Sequence, residues 1–383
     1  MEPLSGDSCV FQYRLICAIL DRLIGTKKPF GVKKMNTRLE QISKENINMD
    51  IIKNAGKIIK AGGLVAFPTE TVYGLGGDGL NPQSSQKIYE AKGRPSDNPL
   101  IIHIGELEAL EKIVSYIPES AKILAKHFWP GPLTMIFKKA DIVPKETTGG
   151  LDTVAVRFPS DPIAIAFIKE AGGYVAAPSA NTSGRPSPTS GRYVYEDMQG
   201  KIEMILDGGS CEIGLESTII DLTEEIPVIL RPGYITEEML QDVLDKVDVD
   251  RTILSAASGI APKAPGMKYR HYAPKGELMI VKGEEKKVLD FVNAKIAEVQ
   301  ASCYKIGVIA TDETMPFYKP CTVKSVGMRN DEASIARRLY EVLREFDDEE
   351  VEYIYAESFD SDGMGQAIMN RLLKAAGHKV IEL

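Results

Sequence analysis

Hydrophobic and polar positions along the chain switch repeatedly between a helical and an extended period. After Asp50, apolar residues recur at helical spacing until two successive glycines end the run. The next four residues, 64–67, are all apolar and predict a buried strand. Asn81-Pro82 is a favourable helix start, because asparagine caps a helix and proline suits its first turn. That helix is predicted to run to Lys92 and to end at the glycine that follows.

Short apolar runs predict further strands in the first part of the chain. They lie at 100–104, 133–138, 153–158, 174–177, 204–206, 218–222 and 228–230. Helices are predicted near 106–115 and 119–127. Helices and strands alternate irregularly, which favours an α/β domain with a twisted, mixed sheet. The polar motifs follow strand ends, where open α/β sheets usually build ligand sites.

The same pattern divides the chain into two α/β regions. Residues 46–235 are expected to form the first domain, and 276–383 a smaller Rossmann-like α/β domain. The segment 236–275 is interpreted as a linker, with a helix near 237–244 followed by a stretch rich in serine, alanine and proline. Residues 1–45 are predicted to be an N-terminal extension that is either disordered or non-native, since Met35 opens a more typical start.

The second domain has its own series of elements. Strands are predicted at 278–281, 306–310 and 351–356, and helices at 332–346 and 365–376. This region contains no evident catalytic constellation. A supporting or gating role is therefore expected for it.

Charge and cysteine usage exclude several classes of protein. The net charge of −8 argues against broad binding of nucleic acid or of anionic membranes, although a weak local contact with tRNA stays open. The five cysteines are scattered and form no C-x-x-C pair. A reduced, cytoplasmic setting is therefore expected rather than a disulfide framework or a zinc site. No histidine pair has metal-ligand spacing, so no metal ligands are predicted among the side chains.

Two short loops carry most of the candidate chemistry. The first runs from Lys92 through Arg94 and Asn98 to His103, and the second contains Ser179 and Asn181 after a strand. Cations two residues apart, with hydroxyl and amide groups nearby, suit a polyphosphate. No P-loop, dinucleotide fingerprint or serine hydrolase motif is present.

Further polar residues follow other strand ends, and each has an ordinary alternative. Thr71 could belong to a polar turn, Arg157 to a structural salt bridge, and His103 to the satisfied core of a strand. Considered together, the cations suit one nucleotide triphosphate and one small carboxylate-bearing molecule. Those cations are Lys92, Arg94, Arg157, Arg185 and Arg231.

These motifs closely resemble the YrdC-like family, in its long two-domain form. The resemblance rests on Phe67–Gly76, Lys92–His103, Trp129–Thr134, Thr153–Arg157, Ala177–Gly184, Gly214–Ile219 and Leu230–Gly233, in the family's order. It implies an N-terminal YrdC-like domain and the synthesis of L-threonylcarbamoyladenylate from L-threonine, bicarbonate or CO2, and ATP, with release of pyrophosphate. It also implies magnesium carried by ATP, and a product passed to a separate tRNA threonylcarbamoyltransferase complex. That complex would form N6-threonylcarbamoyladenosine beside the anticodon.

The resemblance also implies roles for individual residues. Lys92, Arg94, Ser179 and Asn181 would be catalytic. L-Threonine would be held by Thr71, His103, Arg157, Ala177 and Ser217. ATP would be held by Lys92, Arg94, Asn98, Thr153, Ser179, Asn181, Ser187 and Arg231. The aromatic and basic linker residues Lys268, Tyr269, His271 and Tyr272 are candidates for a lid that covers the nucleotide.

Three other functions are weighed against this one. A carbamoyltransferase-type maturation enzyme shares the YrdC-like domain, but its zinc-finger cysteine pairs and acylphosphatase-like part are not found in the sequence. An RNA-binding or ribosome-associated module is disfavoured by the acidic composition. A degenerate paralogue that only binds nucleotide is disfavoured by the intact Lys92, Arg94, Ser179 and Asn181.

Overall fold

The structure of the protein is a computed structural model, and it describes residues 35–250, 271–360 and 362–383. The predicted extension up to residue 34 and the middle of the predicted linker, 251–270, lie outside the described residues. No helix in the described part of the chain is both long and apolar enough to cross a membrane.

Helices and strands alternate along the described chain. The helices are α1 Met49–Lys60, α2 Pro82–Lys92, α3 Leu110–Ile113, α4 Glu119–Phe128, α5 Pro162–Glu170, α6 Gly191–Met198, α7 Glu237–Gln241, α8 Glu285–Ala301, α9 Glu332–Asp348 and α10 Gly363–Ala375, with 3-10 turns at Leu107–Ala109 and Met315–Phe317. The first strands are β1 Arg38–Gln41, β2 Val65–Phe67, β3 Gly74–Asp78, β4 Ile101–Ile104, β5 Leu133–Lys138 and β6 Thr153–Arg157. The later strands are β7 Tyr174–Ala177, β8 Met204–Asp207, β9 Thr218–Asp221, β10 Val228–Arg231, β11 Asp248–Val249, β12 Glu277–Lys282, β13 Ile306–Ala310, β14 Thr322–Ser325, β15 Tyr353–Glu357 and β16 Val380–Glu382.

Two sheets organise these elements, and they confirm the predicted fold class. The larger sheet is mixed, in the order β1-β8-β2-β3-β7-β4-β6-β5-β9-β10-β11. Its parallel pairs include β4 with β6, and its antiparallel pairs include β5 with β6. The smaller sheet has the order β14-β13-β15-β12-β16, and every pairing in it is parallel. A parallel sheet with helical crossovers is the Rossmann-like arrangement expected for the second domain.

Local signals explain the elements that were predicted correctly. The Asn81 side chain accepts a hydrogen bond from the amide of Gln83 at the start of α2. The helix ends at Gly93, whose φ of 64° is the left-handed conformation that glycine adopts without strain. Because both signals are local, the sequence alone was sufficient to bound this helix.

Other elements differ from the sequence predictions. Strand β1 pairs with β8, so residues 38–41 are the edge of the first sheet and not part of an extension ending at residue 45. Strand β3 is rich in glycine and was not predicted; a Cβ at Gly76 would lie 2.8 Å from a methyl carbon of Val175. Helices α5 and α6 were also missed, and the helix predicted at 237–244 ends at Gln241.

The two domains share a hydrophobic core. Val72 and Leu215 of the first domain pack in one buried cluster with Tyr272 and with α9 residues such as Tyr340. The Tyr272 and Tyr340 rings lie 5.2 Å apart between centroids. Buried apolar contact of this kind favours a fixed arrangement of the two domains, in contrast to the mobile docking of domains with polar interfaces.

Buried charge also fixes the domain interface. Arg344 of α9 is completely buried and its Nη2 lies 2.8 Å from Oδ2 of Asp197 in α6. The same guanidinium donates a hydrogen bond of 2.6 Å to the carbonyl of Pro186. An arginine in such a position is stable only while its anionic partner is present, so the domains depend on each other for charge balance.

Gly214 brings the backbones of the two domains together. A Cβ at this position would lie 2.4 Å from the Cα of Arg337, and the φ of Gly214 is +85°. Gly209 has a similar φ of +84°, but a Cβ there would have no heavy atom within 4 Å. Alanine at either position would have a left-handed backbone, but only alanine at 214 would also clash at the domain interface. Comparing the two substitutions therefore separates these two costs.

We predict that Gly214→Ala destabilises the protein more than Gly209→Ala. The left-handed backbone costs about 1 kcal/mol in both variants, and the clash adds about 2 kcal/mol in Gly214→Ala alone. Thermal unfolding followed by circular dichroism measures the difference. Equal shifts in Tm for the two variants would contradict the close approach at Arg337.

Candidate active site

Polar ends of several strands of the larger sheet meet around one cleft. The lining residues include side chains from the loop after β2, the C-terminus of α2, β4, β6, the turn after β7, the segment before β9, and β10. The polar lining residues are Thr69, Thr71, Tyr73, Lys92, Arg94, His103, Arg157, Ser179, Asn181, Ser183, Glu216, Ser217, Arg231, His271 and Tyr272. Loops that sequence reasoning placed at strand ends are thus brought to one place, as expected for an open α/β sheet.

Lys92 holds the turn that follows β7. Its Nζ donates hydrogen bonds of 2.5 Å to the carbonyls of Ser179 and Asn181 and one of 3.3 Å to Asn181 Oδ1. Burial and the nearby Arg94 lower the pKa of Lys92 well below its usual value. Because all three ammonium donors have acceptors in the turn, the geometry favours a positioning role for Lys92.

The Ser179–Asn181 turn is fixed from within as well. Ser179 Oγ donates a 2.5 Å hydrogen bond to Asn181 Oδ1, and Asn181 Nδ2 donates to the carbonyls of Thr182 and Arg185 at 2.9 Å. These contacts leave little rotational freedom in either side chain. A rigid turn of this kind is suited to binding a ligand without a large loss of entropy.

Two arginines supply positive charge at one end of the cleft. Burial lowers the pKa of Arg94 and of Arg231 to about 10 each, so both remain cationic at neutral pH. The Arg94 Nη2 makes long contacts of 3.3–3.4 Å to the carbonyls of Asn98 and Pro99, and its Nε has no hydrogen-bond partner among the described residues. A half-buried guanidinium with an unused donor is suited to an anion.

Arg157 places another buried cation in the cleft, at the end of β6. Its Nη1 donates a 2.8 Å hydrogen bond to Thr71 Oγ1, and its Nη2 lies 2.8 Å from Glu70 Oε1. Both partners of the ion pair are buried, and within the described chain neither the arginine Nε nor either Glu70 oxygen has a hydrogen bond of good geometry. Glu70 therefore offsets the charge of Arg157, while donors of the guanidinium remain available to a carboxylate.

His103 is a neutral imidazole in the wall of the cleft. Burial, and after it the positive charge of Arg157, lower the pKa of His103 to about 3, although hydrogen bonds to the backbone of Ile101 and Val175 act in the opposite direction. The Nδ1 lies 3.1 Å from the Ile101 carbonyl, so it carries the proton. The ring also packs edge-on against Phe67, with 5.9 Å between centroids. His103 thus adds a polar group without adding charge.

Ser217 contacts side chains of two neighbouring strands, Thr134 of β5 and Arg231 of β10. Its Oγ lies 2.7 Å from Thr134 Oγ1, and Arg231 donates hydrogen bonds to the Ser217 carbonyl at 3.0 and 2.9 Å and to its Oγ at 3.1 Å. The preceding residue, Glu216, accepts a 2.6 Å hydrogen bond from Ser187 Oγ. The beginning of β9 and the end of β10 are held together by these contacts.

The linker end forms part of the cleft mouth. His271 and Tyr272 line the cleft, and Tyr272 is buried with a positive φ of 66°. The cleft contains about 680 Å³ of space that is continuous with solvent. Lys268 and Tyr269, the other lid candidates, lie outside the described residues.

The structure places the predicted site residues in three groups. All of the proposed threonine residues line the cleft, and so do five of the ATP residues: Lys92, Arg94, Ser179, Asn181 and Arg231. Asn98, Thr153 and Ser187 do not line it. The Arg185 side chain is also elsewhere, paired with Asp197 and 3.3 Å from Asp347.

Sequence reasoning did not select four residues that shape the site. Glu70 pairs with Arg157, and Glu216 connects Ser187 to the second domain. The available signal was their position in the sequence, since Glu70 directly precedes Thr71 and Glu216 directly precedes Ser217. Tyr340 and Arg371 lie on helices more than a hundred residues away along the chain, and no local pattern marks them.

The side chains of the cleft offer few ligands for a metal ion. Within the described ranges, no group of three histidine, cysteine, aspartate or glutamate side chains is placed to bind a metal. Among the described residues that line the cleft, Glu216 is the one carboxylate, and three donors already occupy it. A magnesium ion here would fit only as the partner of nucleotide phosphates and water, which is a common way for proteins to bind it.

Two family models match this chain in succession. The Sua5–YciO–YrdC model, described as "Telomere recombination", matches residues 57–233. A second model, described as "Threonylcarbamoyl-AMP synthase, C-terminal domain", matches residues 235–377. The two matches confirm the predicted YrdC-like resemblance in its two-domain form.

Proteins similar to this chain cover most of its length. The threonylcarbamoyl-AMP synthase of Pyrococcus abyssi is 47% identical over 343 residues, which cover 89% of this chain and 98% of the relative. The synthase of Bacillus subtilis is 46% identical over 86% of this chain and 94% of its own. The crystal structure of P. abyssi Sua5 complexed with L-threonine matches with a TM-score of 0.85 and 46% identity, over 91% of this chain and 100% of that one.

We predict that stability falls as the pH drops below about 6.5, in part because of His103. In the unfolded chain His103 binds a proton near pH 6.5, but in the folded chain it does so only near pH 3. Acid therefore favours the unfolded state. His103→Asn should reduce the slope of unfolding free energy against pH between 6 and 5 by about 1.4 kcal/mol per pH unit. Urea denaturation at each pH measures the slope. An unchanged slope in the variant would show that His103 is protonated in the fold.

Proposed function

Because this chain belongs to the threonylcarbamoyl-AMP synthase family, we propose that it joins L-threonine, bicarbonate or CO2, and ATP into L-threonylcarbamoyladenylate and releases pyrophosphate. The family makes it a nucleotidyltransferase-type enzyme. Its product would pass to a separate complex that modifies tRNA beside the anticodon. The free cysteines Cys211, Cys303 and Cys321 are compatible with a reduced, cytoplasmic setting.

One observation carries the proposal: the cleft contains two anion-binding positions of different character side by side. Arg157, with the hydroxyl of Thr71 and the neutral His103, suits a small amino acid with a carboxylate. Arg94 and Arg231, with the rigid Ser179–Asn181 turn, suit phosphates. A relative crystallised with L-threonine has the same fold, which supports the first assignment.

L-Threonine would bind with its carboxylate on Arg157. The Arg157 donors that face away from Thr71 can donate hydrogen bonds to the carboxylate, and Glu70 keeps the guanidinium oriented. The hydroxyls of Thr71 and Ser217 and the ring of His103 would surround the amino acid. The backbone of Ala177, at the end of β7, would lie alongside it.

The reaction then needs orientation more than acid–base chemistry. The threonine amine would attack the carbon of CO2 and lose a proton to water, which gives a carbamate. A carbamate oxygen would attack the α-phosphorus of ATP, the bond from that phosphorus to the bridging oxygen would break, and pyrophosphate would leave. Arg94 and Arg231 would stabilise negative charge on the phosphates, and Lys92 would hold the Ser179–Asn181 turn against them.

Magnesium bound by the nucleotide would offset further phosphate charge. The protein residues supply the rest of the site: the cations bind phosphate, and His271 and Tyr272 cover the mouth. Closure would exclude water, which otherwise hydrolyses an acyl adenylate.

Pyrophosphate release tests this function directly. The purified chain with ATP and magnesium should release pyrophosphate only when L-threonine and bicarbonate are both present, and L-serine should be a much weaker substrate. Release that needs carbamoyl phosphate would favour the maturation-type carbamoyltransferase. ATP binding without any release would favour a paralogue that only binds nucleotide, and salt-sensitive tRNA binding without turnover would favour the RNA-binding module.

Arg157→Ala should weaken the binding of L-threonine much more than the binding of ATP. Loss of charged hydrogen bonds to a carboxylate is expected to raise the KM for threonine about 30- to 100-fold, with a change of at most about threefold in the KM for ATP. Arg94→Ala is the matched control and should reverse the pattern. Steady-state kinetics with each substrate varied in turn measure both constants, and equal effects on both substrates would reject the assignment of Arg157.

A further inference from the structure

Glu216 is held by side chains from both domains. Ser187 Oγ of the first domain donates a 2.6 Å hydrogen bond to Oε1. From the second domain, Tyr340 donates one of 2.8 Å and Arg371 Nε one of 3.0 Å, both to Oε2. Tyr340 and Arg371 are 0% exposed and Glu216 is 6% exposed. The carboxylate is therefore satisfied by direct protein contacts.

Arg371 also donates hydrogen bonds to backbone carbonyls next to Arg231 and Ser217. Its Nη1 donates a 2.6 Å hydrogen bond to the carbonyl of Pro232, and its Nη2 one of 3.3 Å to the carbonyl of Glu216. Pro232 directly follows Arg231, and Glu216 directly precedes Ser217. One side chain of the second domain thus fixes both strand ends that carry Ser217 and Arg231.

The charge balance gives these contacts a further consequence. Burial acts to raise the pKa of Glu216, but Arg371, Arg231 and the hydrogen bonds from Ser187 and Tyr340 lower it on balance. Glu216 is therefore an anion beside the cleft. If the donors of the second domain were lost, this anion would compete with phosphate for Arg231.

We propose that Arg371 and Tyr340 are positioning residues of the active site, through which the C-terminal domain holds Glu216 away from Arg231 and keeps Ser187 and Ser217 in place. The inference rests on the proposed function for the identity of the ligand, ATP. It assigns the second domain a defined part in binding: without its two donors, the nucleotide end of the cleft loses its geometry and part of its charge.

Tyr340→Phe tests the proposal with a minimal change. It removes the hydroxyl that donates to Glu216 and keeps the ring that stacks on Tyr272. The chain offers a matched control, because Tyr318 of the same domain donates a 2.7 Å hydrogen bond to the buried Glu357, which does not line the cleft. Tyr318→Phe therefore reproduces the loss of a buried hydrogen bond to a glutamate without touching the site.

We expect the two variants to differ in ATP binding. Both should lower Tm by similar amounts, but only Tyr340→Phe should raise the Kd for ATP with magnesium, by about fivefold. Isothermal titration calorimetry measures the Kd. An unchanged Kd in Tyr340→Phe, or an equal rise in Tyr318→Phe, would overturn the proposal.

A charge rescue tests Arg371. Arg371→Met should raise the Kd for ATP about 20-fold, since it leaves Glu216 without its cationic partner. Adding Glu216→Gln to that variant should recover ATP binding to within about fivefold of the wild type, because the competing anion is gone. A double variant no better than Arg371→Met would assign Arg371 a purely structural role and overturn the proposal.

The calorimetric readout separates this proposal from the proposed reaction. A wild-type protein that binds ATP but releases no pyrophosphate would contradict the reaction, and the variants would still decide the role of Tyr340 and Arg371. A wild-type protein that does not bind ATP would contradict both.

Discussion

The buried carboxylate of Glu216 is the constraint on which the rest of the site depends. An uncompensated charge in the protein interior is costly, so Glu216 can remain an anion only where donors surround it. Those donors come from a loop of the first domain and from two helices of the second. Folding of the cleft and docking of the domains are therefore linked through one side chain.

A second buried pair, Arg157 with Glu70, follows the same physical rule at the other end of the cleft. In both pairs an arginine and a glutamate offset each other, and the neutral His103, which also lines the cleft, adds no further charge. The cleft can thus hold several cations in a small volume without large repulsion. In a low-dielectric site these cations act strongly on any ligand phosphate or carboxylate.

Local sequence signals were sufficient for part of the fold and for most of the cleft. The cap residue Asn81 and the stop at Gly93 bounded a helix correctly, and polar residues after apolar runs marked side chains that the fold brings to one cleft. The failures involve distant partners. Strand β1 is polar and exists because it pairs with β8, and the glycines of β3 are required by the close approach of β7. Arg371 gains its role only when the second domain docks, which no spacing in the sequence encodes.

The identity of the product tests the central claim most directly, because the claim is that one cleft joins three substrates. The protein would be incubated with L-threonine, ATP and ¹³C-labelled bicarbonate, and the products analysed by mass spectrometry. We predict a threonylcarbamoyl adenylate that carries one ¹³C in its carbamoyl group and contains the α-phosphate of ATP. Conversion of ATP to AMP or ADP without any labelled adduct would contradict the account.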